Sequence, residues 1–184
     1  RDYTLNVGKE DQTSVAALLA EKGVQSGEPF LVFCPAGNWD QKRWPPERFA
    51  ALGNELIRRR REKVVITGET RDISLAEKIA SLMKEKPVIL CGKTSLKQLA
   101  ALLKGATLVI SNDTGAMHVA QSQGVKVIAL FGPTDPYLTG PSGRGPKVIL
   151  RKEVGCNDDP PCYYVDCPDN ICMKAIQVED VLDA

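Results

Sequence analysis

The stretch Ala106-Thr107-Leu108-Val109-Ile110-Ser111-Asn112-Asp113-Thr114-Gly115-Ala116-Met117-His118 decides the fold of this chain. The apolar run at 106–110 is typical of a buried strand, and the small residues at 116–123 are compatible with a helix. Asp113-Thr114-Gly115 lies between them as a tight turn. A helix that begins directly after such a turn presents unpaired N–H groups and a partial positive charge. The stretch therefore predicts a phosphate or nucleotide site, with the only histidine of the chain, His118, one turn inside the helix.

Short apolar runs alternate with amphipathic segments along the rest of the chain. Strands are predicted at 30–35, 63–68, 88–90, 106–110, 127–130 and 147–150. Helices are predicted at 45–61, 71–83, 95–105 and 116–123 and from residue 178, and Ser95 with Gln98 forms a capping box. Because strands and helices alternate with short connections, we predict an α/β fold, a Rossmann-like parallel sheet with helices on both faces.

Length, composition and net charge indicate the broad class of this protein. The chain has 184 residues, of which 43% are hydrophobic and 26% charged, as expected for one ordinary globular domain. The formal net charge of +1 makes no case for nucleic acid as a partner. No apolar run reaches the ~20 residues that a membrane helix needs. No signal peptide follows Arg1, and because the chain has no initiator methionine we expect it to be a piece of a longer protein.

Polar and glycine-containing stretches follow four of the predicted strands. They lie at 36–38, 68–70, 112–115 and 132–134. Because the carboxyl ends of parallel strands meet at one edge of a sheet, we expect these stretches to form a single ligand site. No G-x-G-x-x-G follows the first strand and no G-x-x-x-x-G-K-[ST] occurs, which argues against dinucleotide oxidoreductases and P-loop NTPases.

The six cysteines fall into two groups. Cys34 and Cys91 lie in apolar runs, where they are expected to be small buried hydrophobes. The other four lie near the C-terminus among Pro, Asp and Asn residues: Cys156, Cys162, Cys167 and Cys172. These four can bind a structural zinc, form disulfides or remain reduced, and their spacings are not the C-x2-C pairs of a zinc ribbon. The sequence leaves the three states open.

Four motifs, taken in order, resemble one known family. They are Pro35-Ala36-Gly37, Lys42-Arg43-Trp44-Pro45, Asn112-Asp113-Thr114-Gly115-x-x-His118 and Phe131-Gly132-Pro133-Thr134-x-Pro136. Together they resemble the C-terminal half of bacterial ADP-heptose:lipopolysaccharide heptosyltransferases, the inverting enzymes of glycosyltransferase family 9. The cysteine-containing end, with Pro161-Cys162, Cys167-Pro168 and Cys172-Met173, is similar to that of many members. The resemblance extends from Pro29 to nearly the end of the chain.

The resemblance implies the C-terminal half of a GT-B glycosyltransferase, in which two Rossmann-like domains face each other across a cleft. On this interpretation, residues 1–28 are a linker and a leading helix, with the polar stretch 1–14 suited to an interdomain linker. Residues 29–184 then form the nucleotide-sugar (donor) binding domain, with a cysteine-containing tail at 151–184. The resemblance places most of the acceptor site and the catalytic base in the half that these residues lack. We therefore expect no catalytic residue in this chain and no turnover by it alone.

The function implied by the resemblance is transfer of heptose from ADP-heptose to lipopolysaccharide core or a related glycan. No cofactor is required on this reading, and the location is cytoplasmic, at the inner face of the inner membrane. Peripheral membrane association and binding of a lipopolysaccharide-type acceptor are expected only through the full-length protein. Two alternatives remain: a GT-B-like enzyme that uses another nucleotide sugar, such as a UDP-sugar, and a non-catalytic nucleotide-binding module.

The motifs also predict which residues bind the donor. Thr114, Gly115 and Ala116 are expected to cradle the diphosphate, because fixed donors aimed at a leaving group stabilise its developing charge. By resemblance, His118 donates to the phosphates, more strongly when protonated. Lys42 lies in the loop after the first strand, where the resemblance implies a lysine that makes a charge-assisted phosphate contact.

Three further residues complete the predicted site. Asp113 is expected to be the helix N-cap or to accept from a sugar hydroxyl, since a carboxylate aimed at a diphosphate would repel it. The resemblance implies an acid near the end of the second strand that accepts from the ribose hydroxyls, and Glu69 is the candidate. The family's acid falls one position later, where this chain has Thr70, so Asp72 is a second candidate. Thr134 is expected to shape the cleft wall and is counted among the donor-binding residues.

Overall fold

A six-stranded parallel sheet organises the computed structural model, which describes residues 5–143, 145–156 and 161–184. The strands are β1 (Phe30–Cys34), β2 (Lys63–Ile66), β3 (Val88–Ile89), β4 (Val109–Asn112), β5 (Val127–Leu130) and β6 (Lys147–Leu150). The helices are α1 (Lys9–Glu21), α2 (Pro46–Arg60), α3 (Ile73–Leu82), α4 (Leu96–Gly105), α5 (Gly115–Ser122), α6 (Pro136–Thr139), α7 (Ile171–Ala175) and α8 (Val178–Leu182). Single 3-10 turns occupy Asp40–Lys42 and Thr70–Asp72.

The strand order is β3-β2-β1-β4-β5-β6, and all five pairs are parallel. This confirms the predicted α/β fold with a Rossmann-like parallel sheet. The chain builds one side of the sheet from β1 to β3 and then returns to start the other side with β4, next to β1. At such a switch point the loops after the two central strands leave in opposite directions and open a crevice at the carboxyl edge.

Helices cover both faces of the sheet, as predicted. Side chains of β1 alternate between two apolar clusters: Leu31 and Phe33 pack with α2, α3 and α8, whereas Val32 and Cys34 pack with α1, α4 and α5. All five residues of β1 are buried, which is typical of a central strand in a parallel sheet. Within the described ranges, no helix combines the length and the apolar composition needed to cross a membrane.

Several boundaries differ from the predicted ones. Strand β4 begins at Val109 and continues to Asn112, because Asn112 still pairs with Leu130 of β5. Helix α3 begins at Ile73 rather than at residue 71, because the Asp72 carboxylate accepts from the Glu69 N–H at 2.8 Å and closes a 3-10 turn. Helix α5 begins at Gly115, within one residue of the predicted start.

The first described helix belongs to the same core as the sheet. Helix α1 begins at Lys9, inside the stretch 1–14 that composition assigns to a linker. Val15 and Leu19 are buried in the cluster that α4 and α5 share, and the Gln98 side chain donates to Ser14 Oγ at 2.9 Å. The polar residues at 9–14 therefore reflect the exposed face of a helix, and the linker interpretation does not hold for them.

Candidate functional site: a groove at the carboxyl edge of the sheet

A groove of about 750 Å³ opens at the carboxyl edge of the sheet. Its walls are the loops after β1, β2 and β3 together with the first turns of α4 and α5. Four of the predicted site residues line it: Glu69, Thr114, Gly115 and Ala116. The polar stretches after the first, second and fourth predicted strands thus meet in one place, as the parallel topology requires. The remaining polar stretch, at 132–134, does not line the groove, but Thr134 donates a hydrogen bond to Asp113, which precedes α5.

The first turn of α5 meets the groove without a side-chain cap. Thr114 occupies the N-cap position in extended conformation, and its hydroxyl lies 3.3 Å from Ser111 Oγ instead of accepting from the first turn. Gly115 is exposed, has no positive φ, and a Cβ added there would meet nothing within 4 Å. Neither packing nor backbone conformation therefore demands glycine at this position. Thr114, Gly115 and Ala116 all line the groove, and the first N–H groups of a helix lack acceptors within the helix, as a phosphate site requires.

A buried ion pair lies directly before α5. Lys42 Nζ is 2.6 Å from Asp113 Oδ2, and the two side chains are 8% and 7% exposed. The same Oδ2 accepts from Thr134 Oγ1 at 2.8 Å and from Thr139 Oγ1 at 3.2 Å. The ammonium also lies 4.4 Å from the centroid of the Trp39 ring, within the range of a cation–π contact. The hydrogen bonds from the two threonine hydroxyls help to offset the loss of hydration of the buried charges.

The structure corrects the prediction that Asp113 caps the helix. Thr114 holds the N-cap position, and the carboxylate of Asp113 accepts instead from Lys42. A charge-assisted hydrogen bond to an ammonium is stronger than one to a neutral amide, and more so where water is scarce. The other predicted role for Asp113, acceptor for a sugar hydroxyl, stays a prediction.

Asn112 is a site residue that the sequence analysis did not assign. It is fully buried, and its Nδ2 donates to the carbonyl oxygens of Pro35 at 2.7 Å and Ala36 at 3.3 Å. Its Oδ1 accepts from the Trp44 N–H at 3.3 Å. The amide therefore ties the loop after β1 to the end of β4, across the switch point. The available signal was a polar amide at the end of an otherwise apolar strand, where burial demands hydrogen-bond partners.

Of the two acids proposed for the ribose, only Glu69 keeps an accessible carboxylate. Its side chain is 71% exposed and pairs with Arg71 at 3.0 Å. Asp72 is 4% exposed, and its carboxylate is engaged by the Glu69 N–H. The geometry therefore favours Glu69.

His118 and Thr134 lie beside the groove rather than on its wall. His118 is half-buried and lies three residues after Gly115, so both residues are on one side of α5. Thr134 is 3% exposed and its hydroxyl is bonded to Asp113. Thr134 therefore supports Asp113, while direct donor contacts by His118, Thr134 and Lys42 remain predictions.

The tail cysteines line a second cavity of about 400 Å³. They are Cys156, Cys162, Cys167 and Cys172, and all six cysteines of the chain are free thiols. Among residues 5–143, 145–156 and 161–184, no group of three or more His, Cys, Asp or Glu side chains is placed to hold a metal ion. Of the three states left open for these cysteines, a zinc site is not formed by the described residues. Burial raises the pKa of Cys172, and it raises those of Cys34 and Cys91 to about 12, as expected for core thiols.

The chain is similar in sequence and in fold to bacterial heptosyltransferases. The chain is 35% identical over 130 residues to lipooligosaccharide heptosyltransferase 2 of Haemophilus influenzae, which covers 68% of this chain and 36% of that protein. A glycosyl transferase family 9 structure from Veillonella parvula superposes with a TM-score of 0.86 at 27% identity, covering 98% of this chain and 52% of that one. The ADP-heptose lipopolysaccharide heptosyltransferase II of Escherichia coli superposes with a TM-score of 0.79 at 25% identity, covering 98% and 51%.

The chain spans between 36% and 52% of the length of these relatives. The sequence model of glycosyltransferase family 9 (heptosyltransferase) matches residues 3–160, most of the chain. The match includes β1 to β6, the groove and the Lys42–Asp113 pair. This chain therefore belongs to glycosyltransferase family 9, the heptosyltransferases.

Proposed function

We propose that this chain is the donor-binding half of an inverting glycosyltransferase that transfers heptose from ADP-heptose to lipopolysaccharide core or a related glycan. Family membership and the named activity of the Escherichia coli relative support this assignment. The observation that carries it is the uncapped first turn of α5 at the groove, which begins with a glycine that the fold does not require.

The diphosphate of the donor binds at this turn. The N–H groups of Gly115 and Ala116 and the hydroxyl of Thr114 provide fixed donors, and the positive end of α5 favours an anion. When the bond to the sugar breaks, negative charge grows on the leaving diphosphate, and donors that are already in place stabilise it. His118 adds a further donor from the same side of the helix.

The Lys42–Asp113 pair makes a carboxylate compatible with a nearby diphosphate. An unpaired Asp113 would repel the phosphates, whereas the ammonium 2.6 Å away balances its charge. An ammonium has three N–H donors, so Lys42 can keep its bond to Asp113 and also donate to a phosphate oxygen. Asp113 can then accept from a sugar hydroxyl.

The remaining groove accommodates the nucleoside. Glu69 accepts from the ribose hydroxyls, and the apolar side chains of Leu96, Leu99 and Val119 provide a surface for the base. Cationic groups and the helix N-terminus balance the diphosphate, so the proposal requires no cofactor. The catalytic base and the acceptor site lie in the other half of the full-length enzyme, which works in the cytoplasm at the inner face of the inner membrane.

Thermal unfolding of the chain with ADP, UDP or GDP at millimolar concentration tests the proposal. A ligand that binds only the folded state adds ~2.7 kcal/mol of stability at a concentration of about 100 Kd. We expect ADP to stabilise the chain selectively, and His118→Ala to reduce that stabilisation without lowering the Tm of the free chain. Thr13→Val, on the exposed surface of α1, is the control and keeps the full ADP effect.

The outcomes separate the alternatives. If UDP or GDP stabilises the chain more than ADP does, the donor is a different nucleotide sugar and not ADP-heptose. The absence of any nucleotide effect would contradict donor binding by this chain.

A further inference from the structure

We propose that Thr139 is a positioning residue of the donor site and acts through Asp113. The inference rests on the proposed function, because it concerns how the donor-binding residues are held. Three donors meet at Asp113 Oδ2, one from the loop after β1 and two from the stretch 134–139: Lys42 Nζ at 2.6 Å, Thr134 Oγ1 at 2.8 Å and Thr139 Oγ1 at 3.2 Å. Thr139 lies in none of the sequence motifs and does not line the groove.

Three donors on one oxygen fix the rotation of a carboxylate. Asp113 is 6% exposed, so protein groups rather than water must satisfy its charge. Hydroxyl groups that donate to one carboxylate oxygen hold the carboxylate in one orientation. Oδ1 takes no part in these three contacts, so the donors on Oδ2 set the direction in which Oδ1 is presented.

The Thr139 hydroxyl is not needed to fold α6. The backbone N–H of Thr139 donates to Asp135 O at 3.1 Å, that of Gly140 donates to Pro136 O at 2.9 Å, and the Asp135 side chain caps the turn through the Tyr137 N–H. The hydroxyl also lies 3.3 Å from Asp135 O, a second acceptor within its own helix. Its single proton favours the ionised Asp113, which is the stronger acceptor.

The position of Lys42 depends on the same contact. The ammonium is held between Asp113 Oδ2 and the face of the Trp39 ring, 4.4 Å from the ring centroid. Without the Thr139 hydroxyl only Lys42 and Thr134 hold Oδ2, so we expect the carboxylate to reorient and the ammonium to move with it. Trp39 therefore reports on this positioning even when no nucleotide is bound.

Three variants separate the hydroxyl from the shape of the side chain. Thr139→Val removes the hydroxyl and keeps the branched shape, Thr139→Ser keeps the hydroxyl, and Thr13→Val makes the same hydroxyl-to-methyl change on α1. Isothermal titration calorimetry gives the Kd for ADP. We expect Thr139→Val to raise it about tenfold, and Thr139→Ser and Thr13→Val to stay within about twofold of the unsubstituted chain.

The second readout is the ¹⁹F NMR spectrum of the nucleotide-free chain labelled with 5-fluorotryptophan. The chain has two tryptophans, so Trp39→Phe assigns the Trp39 resonance. We expect this resonance to move in Thr139→Val and to return in Thr139→Ser. Thr139→Ala replaces Thr139→Val if the latter lacks the circular dichroism spectrum of a folded chain.

The two readouts distinguish failure of this inference from failure of the proposed function. An unsubstituted chain that does not bind ADP contradicts the proposed function, and the ¹⁹F spectrum still decides the role of Thr139. An unmoved Trp39 resonance in Thr139→Val overturns the positioning role. An ADP affinity that survives loss of the hydroxyl, or that serine does not restore, also overturns it.

Discussion

Two helices begin on the wall of the same groove, and their first turns are built differently. At α4, Ser95 Oγ accepts from the Gln98 N–H at 3.3 Å, and the Gln98 side chain accepts from the Ser95 N–H at 2.8 Å. At α5, the residue in the same position, Thr114, makes no side-chain cap. Both cap residues have extended backbone, so the difference lies in the side chains rather than in the path of the chain.

The difference shows which helix start is closed by its own side chains and which leaves its first amide groups without a side-chain acceptor. A capping box satisfies the amide groups of the first turn from within the helix and stabilises the fold. An uncapped first turn leaves those amides to water or to an anion and retains the full effect of the helix dipole. The buried Lys42–Asp113 pair lies next to the uncapped end, so charge and free donors are concentrated on the α5 side.

The largest expected effect is at the buried pair beside α5. Asp113→Ala leaves the Lys42 ammonium buried without its partner, and we expect the free energy of unfolding in urea to fall by about 3–5 kcal/mol. The double variant Lys42→Met with Asp113→Ala removes both charges and recovers part of that loss. If the single and double variants are equally unstable, the pair is not what supports the α5 side of the groove.

A smaller effect, on binding, is expected at the first residue of α5. Gly115→Ala adds a methyl group into open space, so the free energy of unfolding stays the same or rises by up to ~1 kcal/mol. The same methyl group obstructs a phosphate at the N–H groups, and we expect calorimetry to show a Kd for ADP raised by about tenfold. Gly155→Ala, which also meets open space, is the matched control. If Gly115→Ala leaves the ADP affinity unchanged, the phosphates do not bind at this turn.

The smallest effects are expected at the two N-cap residues, Ser95 of α4 and Thr114 of α5. Ser95→Ala removes the capping box of α4, and we expect a loss of about 1 kcal/mol in urea denaturation with the ADP affinity retained. Thr114→Val should do the reverse, with little change in stability and weaker ADP binding, because its hydroxyl does not cap α5. The comparison fails if Ser95→Ala weakens ADP binding as much as Thr114→Val does.

Local sequence predicted the six strands, helices α2 to α5 and α8, and one of the two caps, but not α6 or α7. The Ser95–Gln98 capping box was predicted from residues three apart and is confirmed. The strand–turn–helix at β4 and α5 was also predicted, although its boundaries moved by a few residues. Such features depend on neighbours within one helical turn or one strand, and these are visible in the sequence.

The errors arose where distant residues compete for the same group. Asp113 has the residue type and nearly the position of an N-cap, but an ammonium 71 residues away in the chain takes its carboxylate. The polar residues at 9–14 indicated a linker by composition, but Val15 and Leu19 anchor their helix to α4. For the four tail cysteines the sequence left zinc, disulfides and free thiols open, because spacing alone does not say which thiols meet, and the described residues form no metal-binding cluster.

The sequence by itself therefore determined the α/β class, the alternation of the six strands with the main helices, and the strand–turn–helix that ends in α5, because periodicity and short motifs act locally. Only the tertiary structure decided that β1 and β4 lie side by side, that Asn112 joins their loops, and that Lys42, Thr134 and Thr139 meet at Asp113. The physical reason is that a buried charge must be satisfied by whichever donors the fold brings to it, and these come from segments that are far apart in the chain.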